Sequence, residues 1–165
     1  MAGSGNLKPV DLWLRDNHSD AITRFDAVSG GCINTTGSIT LSDGERQFVK
    51  LQNNPAPDFF SAEAHGLECL RQATSLRIPK IIHVDREFLL LEDLGVARPA
   101  DGYWSLLGEG LAQLHRQRHP LFGLDRDNYC GRTPHCNTPT PDGYSFFARY
   151  RLNALADRAS QAGLV

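Results

Sequence analysis

Two β-rich runs, at residues 35–41 and 47–52, flank the turn sequence Ser42-Asp43-Gly44-Glu45. An Asp-Gly step between such runs is the strongest short-range signal for an antiparallel hairpin. The primed turns that join hairpin strands need a positive φ, which glycine adopts without strain. The sequence therefore predicts an antiparallel sheet in the first part of the chain, with a primed turn at Gly44.

The remaining elements are predicted from apolar spacing and from the positions of glycine and proline. A helix is predicted at 59–74, because Phe59, Glu63, Leu67 and Leu70 recur at helical intervals on one stripe. Five strands with one helix inserted after the third, followed by an all-helical region, define an α+β fold. The other predicted elements are a short helix within the first twenty residues, strands at 25–28, 81–84 and 88–92, a helix through 104–114 and a last helix from 144.

Composition narrows the functional classes. The 165 residues are 41% hydrophobic and 22% charged, which is enough apolar sequence for a folded core. A formal net charge of −2 gives no positive surface for nucleic acid or an anionic membrane. The chain has no apolar run near the ~20 residues of a membrane span, and its start lacks the apolar segment of a secretory signal. We therefore expect a cytoplasmic protein with reduced cysteines that binds neither nucleic acid nor membrane.

Lys50 and Glu63 are the first candidates for chemistry. Lys50 shares a strand face with Phe48, and Glu63 shares the inward stripe of the next helix with Leu67. Taken alone, Lys50 is typical of a strand-end lysine whose amine reaches water. An inward ammonium and an inward carboxylate in consecutive elements are better explained as an ion pair, because each is costly to bury alone. Kinase-type nucleotide sites use such a pair, in which a helix glutamate holds the phosphate-binding lysine.

Two backbone segments are candidates for binding a nucleotide beside that pair. The loop 29–34 contains Gly30-Gly31, and adjacent glycines let backbone N–H groups approach an anion. Ordinary bends also contain such pairs, and neither G-x-G-x-x-G nor the P-loop motif is present. The run 88–95 passes from apolar to acidic residues and a glycine. It is either a buried strand that surfaces or a hinge whose C=O and N–H groups, at Glu92 and Leu94, pair with adenine.

With these features the chain resembles the N-terminal part of the fructosamine kinase (ketosamine 3-kinase) family, relatives of aminoglycoside phosphotransferases with a protein-kinase-like fold. The similarity covers nearly all of the chain and depends on the order and spacing of several short motifs. These are Ser29-Gly30-Gly31-Cys32-Ile33-Asn34, Phe48-Val49-Lys50, Glu63-Ala64-His65-Gly66-Leu67 with Leu70 one turn on, Leu91-Glu92-Asp93-Leu94, Leu107-Gly108, Leu111-Ala112-Gln113-Leu114-His115, Phe122-Gly123-Leu124-Asp125, Asp127-Asn128, Asn137, and Phe146-Phe147 through Arg151-Leu152.

The resemblance implies a role for each candidate position. Lys50 would contact the α and β phosphates of ATP, and Glu63 would hold its ammonium. The glycine loop would cover the phosphates. Phe48 would line the adenine slot, Leu91 would be the gatekeeper residue, and Glu92 to Leu94 would form the hinge. The full set implied for ATP binding is Gly30, Gly31, Cys32, Ile33, Asn34, Phe48, Lys50, Glu63, Leu91, Glu92, Asp93 and Leu94.

The resemblance also implies a domain plan and a reaction. Residues 1–94 would form a kinase-like N-lobe, made of a five-stranded antiparallel sheet and one helix with the hinge at its end. Residues 95–165 would begin a helical C-lobe. The reaction would be ATP-dependent phosphorylation of the sugar O3 of a ketosamine, which makes the adduct labile and repairs glycated amines. The partners would be a nucleotide and a ketosamine, with ATP and Mg²⁺ as cofactors.

The family's catalytic aspartate loop and its Mg²⁺-binding aspartate have no match in the 165 residues. The nearest candidate, Asp125-Arg126-Asp127-Asn128, is too short for the D-x-x-x-x-N spacing of a catalytic loop. We therefore expect no catalytic residue or metal ligand in this chain, with the Mg²⁺ ligands in a missing C-terminal part, and an inactive chain. Two alternatives stay open: a non-catalytic, pseudokinase-like binding module, and a related aminoglycoside- or choline-type phosphotransferase.

Cys32 has two interpretations. It is either a small buried apolar residue or a redox-sensitive thiol, because glycine-rich turns expose N–H groups that stabilise a thiolate. In the second case the resemblance implies a disulfide between two chains and hence a homodimer. A truncated chain would also expose the surface that packs on a missing lobe, so we expect self-association. Cys130, His135 and Cys136 lack the spacing of a zinc site.

Overall fold

The sheet predicted from the hairpin is present and has five strands. The structure is a computed structural model that describes residues 7–18, 20–28 and 34–164. Helix α1 (Lys8–His18) precedes the sheet, and α2 (Phe59–Ala73) joins its third and fourth strands. The strands are β1 (Ile22–Ala27), β2 (Thr35–Leu41), β3 (Arg46–Leu51), β4 (Ile81–Val84) and β5 (Phe88–Glu92). They lie in the order β1-β2-β3-β5-β4 with every neighbouring pair antiparallel, which confirms the predicted α+β fold.

The turn between β2 and β3 differs in type from the prediction. The N–H of Gly44 donates to the carbonyl of Leu41 (3.1 Å), and the N–H of Leu41 donates to the carbonyl of Glu45 (2.9 Å). Among the turn residues only Gly44 has a positive φ, at 89°. The connection is therefore an ordinary turn followed by a left-handed glycine bulge. The predicted hairpin is confirmed, and the predicted primed turn is wrong because the glycine follows the tight turn instead of lying inside it.

One face of the sheet packs on α1. Val10 and Leu14 of the helix are fully buried against Ile39, Val49 and Leu90, which lie on three neighbouring strands. Each aliphatic side chain buried in this way contributes about 1.5–3 kcal/mol. This face therefore holds the main core of the sheet.

The opposite face carries two rows of side chains set by the strand register. Ser38, Phe48 and Leu91 are direct partners across β2, β3 and β5. In the next row Lys50 lies opposite Leu89. Because side chains alternate along a strand, Lys50 and Phe48 point away from α1, on the side of the sheet where α2 contacts β4 and β5.

Helix α3 (Tyr103–His115) follows the sheet and completes the first of two compact units, Met1–His115. A Cβ at its Gly110 would lie 2.4 Å from the side chain of Leu76, so the glycine allows close contact. Of the apolar stripe predicted for this helix, Trp104 and Leu111 are exposed. The predicted division between residues 94 and 95 remains a prediction.

The second unit, Arg116–Val165, contains strands as well as helices. An antiparallel hairpin, β6 (Asn128–Cys130) and β7 (Thr133–His135), turns at Gly131, whose φ is 62°. The prediction of an all-helical region is therefore wrong, because three-residue strands with a proline in one of them show no alternation. The predicted last helix is present as α4 (Gly143–Phe147), a π-helical turn (Ala148–Asn153) and α5 (Ala154–Gln161).

Asn137 is the centre of a hydrogen-bond network in the second unit. Its backbone N–H donates to Asp127 Oδ1 (2.8 Å), and its side-chain amide donates to Asn128 Oδ1 (2.9 Å) and to the carbonyl of Arg126 (3.1 Å). Its Oδ1 accepts from Arg151 Nη2 (2.5 Å). The segment that contains Asp127 and Asn128 is thus part of a structural network, consistent with its low resemblance to a catalytic loop.

Candidate functional site

A cavity of about 360 Å³ opens on the face of the sheet that points away from α1. Its walls come from the sheet, from α2 and from the segment that follows β5. This volume lies within the range of about 300–1,000 Å³ that is typical of small-molecule sites. The lining residues are Val28, Ser38, Phe48, Lys50, Glu63, Leu67, Pro79, Leu91, Glu92, Asp93, Leu94, Gly95 and Val96.

Lys50 and Glu63 meet at the wall of this cavity. Lys50 Nζ donates to Glu63 Oε1, and the two side chains are 30% and 27% exposed. Strand alternation turns Lys50 to this face because Val49 and Leu51 occupy the core face. The structure therefore brings together the two residues that the sequence singles out. Leu70, placed on the same helical stripe as Glu63, is instead exposed.

Apolar side chains form the flat part of the cavity. Phe48 and Leu91 are direct cross-strand partners, and Leu67 of α2 and Val28 beyond β1 complete this wall. A slot between aliphatic and aromatic side chains suits a planar ring system.

Glu92 closes the strand that leads into the hinge segment. Its backbone N–H donates to the carbonyl of Lys80 (2.8 Å), so that group is used within the protein. Its carboxylate pairs with Arg77 Nη2 (2.5 Å), and this hydrogen bond, followed by one from the N–H of Lys80, lowers the pKa of Glu92. Two residues further on, in the part of the chain that the structure describes, the N–H of Leu94 donates to no backbone carbonyl.

Asp93 turns back onto the sheet. Its side chain is only 8% exposed, and its Oδ2 lies 3.0 Å from Arg46 Nε. Its Oδ1 accepts from the N–H of Gly95 (2.8 Å), and the hydroxyl of Ser38 lies near enough to favour the ionised carboxylate. Burial alone would raise the pKa of Asp93, but these donors, led by the Gly95 N–H, hold it below its ordinary value. The carboxylate is therefore ionised and already engaged by the protein.

The glycine loop lies partly outside the described residues. Gly30, Gly31, Cys32 and Ile33, with the roles that the sequence suggests for them, fall in that gap. The described residues on the two sides of this gap are joined by a hydrogen bond from the N–H of Val28 to the carbonyl of Thr36 (2.9 Å), and Val28 lines the cavity. Asn34 is described, and its Oδ1 is buried without a hydrogen-bond partner among the described residues.

The sequence did not single out Ser38, which lines the cavity, or Arg46, which does not line it but pairs with Asp93. Ser38 lies in register with Phe48, a signal that becomes readable only once the pairing of β2 with β3 is known. Arg46 was missed because its partner, Asp93, is distant in sequence. The turn at Asp93-Leu94-Gly95 could have been predicted, since Asp followed two residues later by Gly is typical of a side-chain-stabilised turn.

The acidic groups of the cavity do not form a cation site. Glu63, Glu92 and Asp93 each have a basic partner. Within residues 7–18, 20–28 and 34–164, no group of three or more His, Cys, Asp or Glu side chains could hold a metal ion. The described helices also include none long and apolar enough to cross a membrane.

The fold and the ion pair define the class of protein. A five-stranded antiparallel sheet, with a lysine on its third strand paired to a glutamate on the next helix, is the kinase-like arrangement. Two solved structures of proposed fructosamine-3-kinases share the fold at 24% identity. The protein from Thermobifida fusca has a TM-score of 0.79 over 94% of this chain and 55% of its own. The one from Haemophilus somnus has a TM-score of 0.82 over 98% and 57%.

The sequence pattern of the fructosamine kinase family matches residues 9–165, and the chain belongs to that family. A probable ketoamine kinase of Synechocystis is 39% identical over 80% of this chain and 47% of its own length. The chloroplastic protein-ribulosamine 3-kinase of rice is 31% identical over 98% of this chain and 48% of its own length. The chain thus spans about half the length of these curated relatives.

Proposed function

We propose that these residues form the ATP-binding portion of a small-molecule kinase that phosphorylates ketosamines. The observation that carries the proposal is the Lys50–Glu63 ion pair in the wall of a cavity of ligand size. A lysine that is about one-third exposed and held by one carboxylate still has hydrogen atoms to donate to a phosphate oxygen. Glu63 keeps that ammonium in place, which is the role of the helix glutamate in kinase-type sites.

The base of the nucleotide would occupy the apolar end of the cavity. There the ring would lie against Phe48 and Leu91, beside the hinge. The carbonyl of Glu92 would accept from the exocyclic amine of adenine, and the N–H of Leu94 would donate to a ring nitrogen. The contacts support this orientation, because the N–H of Glu92 is already used by Lys80. Gly30 to Asn34 would cover the phosphates.

The acceptor is inferred from the relatives. Their names, ketoamine kinase and ribulosamine 3-kinase, share one chemistry, a keto sugar joined to an amine. In the proposed reaction the terminal phosphoryl group breaks its bond to ADP and joins the O3 hydroxyl of that sugar, whose proton is released. The proposal includes a cytoplasmic location, although the rice relative is named as chloroplastic.

Phosphoryl transfer needs more than the residues assigned here. The cavity provides a cation, an apolar slot and backbone groups, which fit ATP, but its carboxylates are paired and do not fit Mg²⁺. We therefore derive no step through the metal. We propose that these 165 residues bind the nucleotide without transferring its phosphoryl group. Mass spectrometry of a fructosyl-lysine peptide incubated with chain and ATP should show no gain of a phosphoryl group, and a phosphorylated peptide would contradict this.

Calorimetric titration with ATP tests the binding role. The unaltered chain should bind saturably, and Lys50→Ala should weaken binding by about tenfold or more, as expected for loss of a charge-assisted contact of ~1.5–3 kcal/mol. Lys8→Ala is the matched control, since Lys8 is an exposed lysine on α1. Absence of saturable binding, or equal affinity of Lys50→Ala and the unaltered chain, would reject the proposal.

A further inference from the structure

The carboxylate of Asp93 ties the hinge segment to the sheet. Arg46 opens β3 and Gly95 follows the sheet, yet both donate to this one side chain, and the nearby hydroxyl of Ser38 on β2 also favours its ionised form. Arg46 Nε lies 3.0 Å from Oδ2, and the Gly95 N–H lies 2.8 Å from Oδ1. The hinge is therefore fixed to the sheet by a side chain, at a point beyond the last strand hydrogen bonds.

This fixation determines the backbone conformation around Leu94. Leu94 lies between Asp93 and Gly95, and the N–H of Gly95 donates to the side-chain carboxylate of Asp93. Gly95 has a φ of 70°, a left-handed conformation that a side chain would strain. Because both flanking residues are held, the direction of the Leu94 N–H at the cavity wall is held as well.

Burying the carboxylate of Asp93 costs free energy of hydration. An ionised group that is 8% exposed loses most of its hydration, and only several donors together offset that loss. Turns of the same shape form on solvent-exposed asparagine or serine without such a cost. A buried carboxylate that binds Arg46 of β3 as well as the Gly95 N–H holds the hinge more firmly than the turn alone would.

We propose that Asp93 is a positioning residue that aims the Leu94 N–H at the nucleotide base and so sets preference for adenine over guanine. The proposal rests on the nucleotide-binding role proposed above. Adenine N1 is an acceptor and can receive this N–H, whereas guanine N1 carries a hydrogen and opposes it with a second donor. Asp93 would act through Leu94 without touching the nucleotide, whereas Lys50 would act on the phosphates, which ATP and GTP share.

The test compares ATP with GTP in calorimetric titrations of five chains. These are the unaltered chain, Asp93→Asn, Arg46→Gln, Lys50→Ala and the control Asp26→Asn. Asp26 pairs with Arg24 at 2.8 Å on the same sheet but is more exposed and lies outside the cavity. Arg46→Gln leaves the hydrogen bond from the Gly95 N–H to the Asp93 carboxylate in place, so it serves as the milder variant if Asp93→Asn folds poorly. Circular dichroism checks folding before each titration.

We expect the unaltered chain and Asp26→Asn to bind ATP at least about tenfold more tightly than GTP, the scale of one well-placed hydrogen bond. Asp93→Asn should lose most of that ratio through weaker ATP binding, and Arg46→Gln should lose part of it. Lys50→Ala should weaken both nucleotides and keep the ratio. The inference is overturned if the unaltered chain binds both equally, or if Asp93→Asn and Arg46→Gln keep its ratio. If the unaltered chain binds neither nucleotide, the proposed function itself fails.

Discussion

The ammonium of Lys50 and the carboxylate of Glu63 form an ion pair that joins the third strand of the sheet to helix α2. Both side chains are about one-third exposed, at 30% and 27%, so neither is deeply desolvated. An ion pair of this exposure adds little to folding stability. Its main consequence is positional, because it holds one cation at the edge of an otherwise apolar cavity.

Removing the carboxylate should therefore affect binding more than folding. Glu63→Gln is expected to weaken ATP binding by about three- to tenfold, because Lys50 loses its charged partner while retaining a hydrogen-bond acceptor. The midpoint of urea unfolding should change little. Calorimetric titration and chemical denaturation of the same preparation measure the two effects.

Glu68→Gln is the control for that experiment. Glu68 lies on the same helix, pairs with Arg71 at 2.5 Å and does not line the cavity. The ATP affinity of Glu68→Gln should match that of the unaltered chain within about twofold, because the Glu68–Arg71 pair is a surface pair. Equal losses of ATP affinity in Glu63→Gln and Glu68→Gln would show that ATP binding responds to the net charge of the chain and not to the partner of Lys50.

Gly37 should not accept a larger residue. A Cβ at this position in β2 would lie 2.4 Å from Cε2 of Phe25 and 2.5 Å from the backbone oxygen of Asp26. Gly37→Ala is therefore expected to destabilise the first unit by about 1–3 kcal/mol, the usual cost of overpacking. Urea unfolding followed by tryptophan fluorescence measures this, because both tryptophans, Trp13 and Trp104, lie in that unit.

Replacement of a second glycine, Gly66, by alanine should stabilise the first unit instead of destabilising it. Gly66 is inside α2, and nothing lies within 4 Å of the Cβ that would be added there. Gly66→Ala should raise the free energy of unfolding by up to ~1 kcal/mol, since alanine favours a helix interior. The urea midpoint should rise accordingly. A Gly37→Ala chain as stable as the unaltered one would contradict the packing described for β1 and β2.

His83 makes the stability of the first unit depend on pH. Its ring stacks on Trp13, with centroids 4.0 Å apart and planes at 20°. Burial lowers the pKa of His83 below 6.5; Asp85 opposes this effect and His18 adds to it. Since the folded pKa is lowered, the stabilisation is complete above the unfolded value of about 6.5 and is lost as the pH falls through the folded pKa.

His83→Phe isolates this contribution, because it keeps an aromatic ring beside Trp13 but cannot be protonated. The unaltered chain should lose more stability than His83→Phe between about pH 7.5 and pH 5, with the difference appearing below about pH 6.5. Urea midpoints at several pH values in this window provide the measurement. Parallel pH profiles for the two chains would show that protonation of His83 does not oppose folding.

Loss of the Asn137 side chain should lower the stability of the second unit and leave that of the first unchanged. Its side chain is buried and makes three hydrogen bonds, so Asn137→Ala leaves several partners without one. The expected loss is about 2–3 kcal/mol, seen as faster amide hydrogen exchange in residues 116–164. Exchange in strands β1 to β5 should not change. Asn153→Ala, at an exposed position, is the control, and equal effects of the two substitutions would contradict the network.

The sequence was most informative where local chemistry and final pairing agree. The hairpin at Gly44, the strands at 81–84 and 88–92 and helix α2 all follow from spacing and turn residues that act within a few positions. The meeting of Lys50 with Glu63 was also predictable, because each points inward from its own element. Lone inward charges are rare enough that two in consecutive elements indicate a pair.

Features that depend on distant pairing were not predictable. From the sequence Asp93 is one more hinge residue, and only the folded sheet shows that its carboxylate is held by Arg46. The hairpin of β6 and β7 was missed because three-residue strands carry no readable period. The one-residue difference between a primed turn and a glycine bulge at Gly44 is likewise set by strand register.

The most direct test of the central claim is a nitrogen-15 NMR titration of the chain with ATP. The amide signals of Lys50, Leu94 and Gly95 should shift together and saturate, while those of α1, on the opposite face of the sheet, stay in place. Lys50→Ala should need a higher ATP concentration for the same shifts at Leu94. If these amides do not respond, or if saturable shifts occur only in residues 116–164, the cavity is not the nucleotide site.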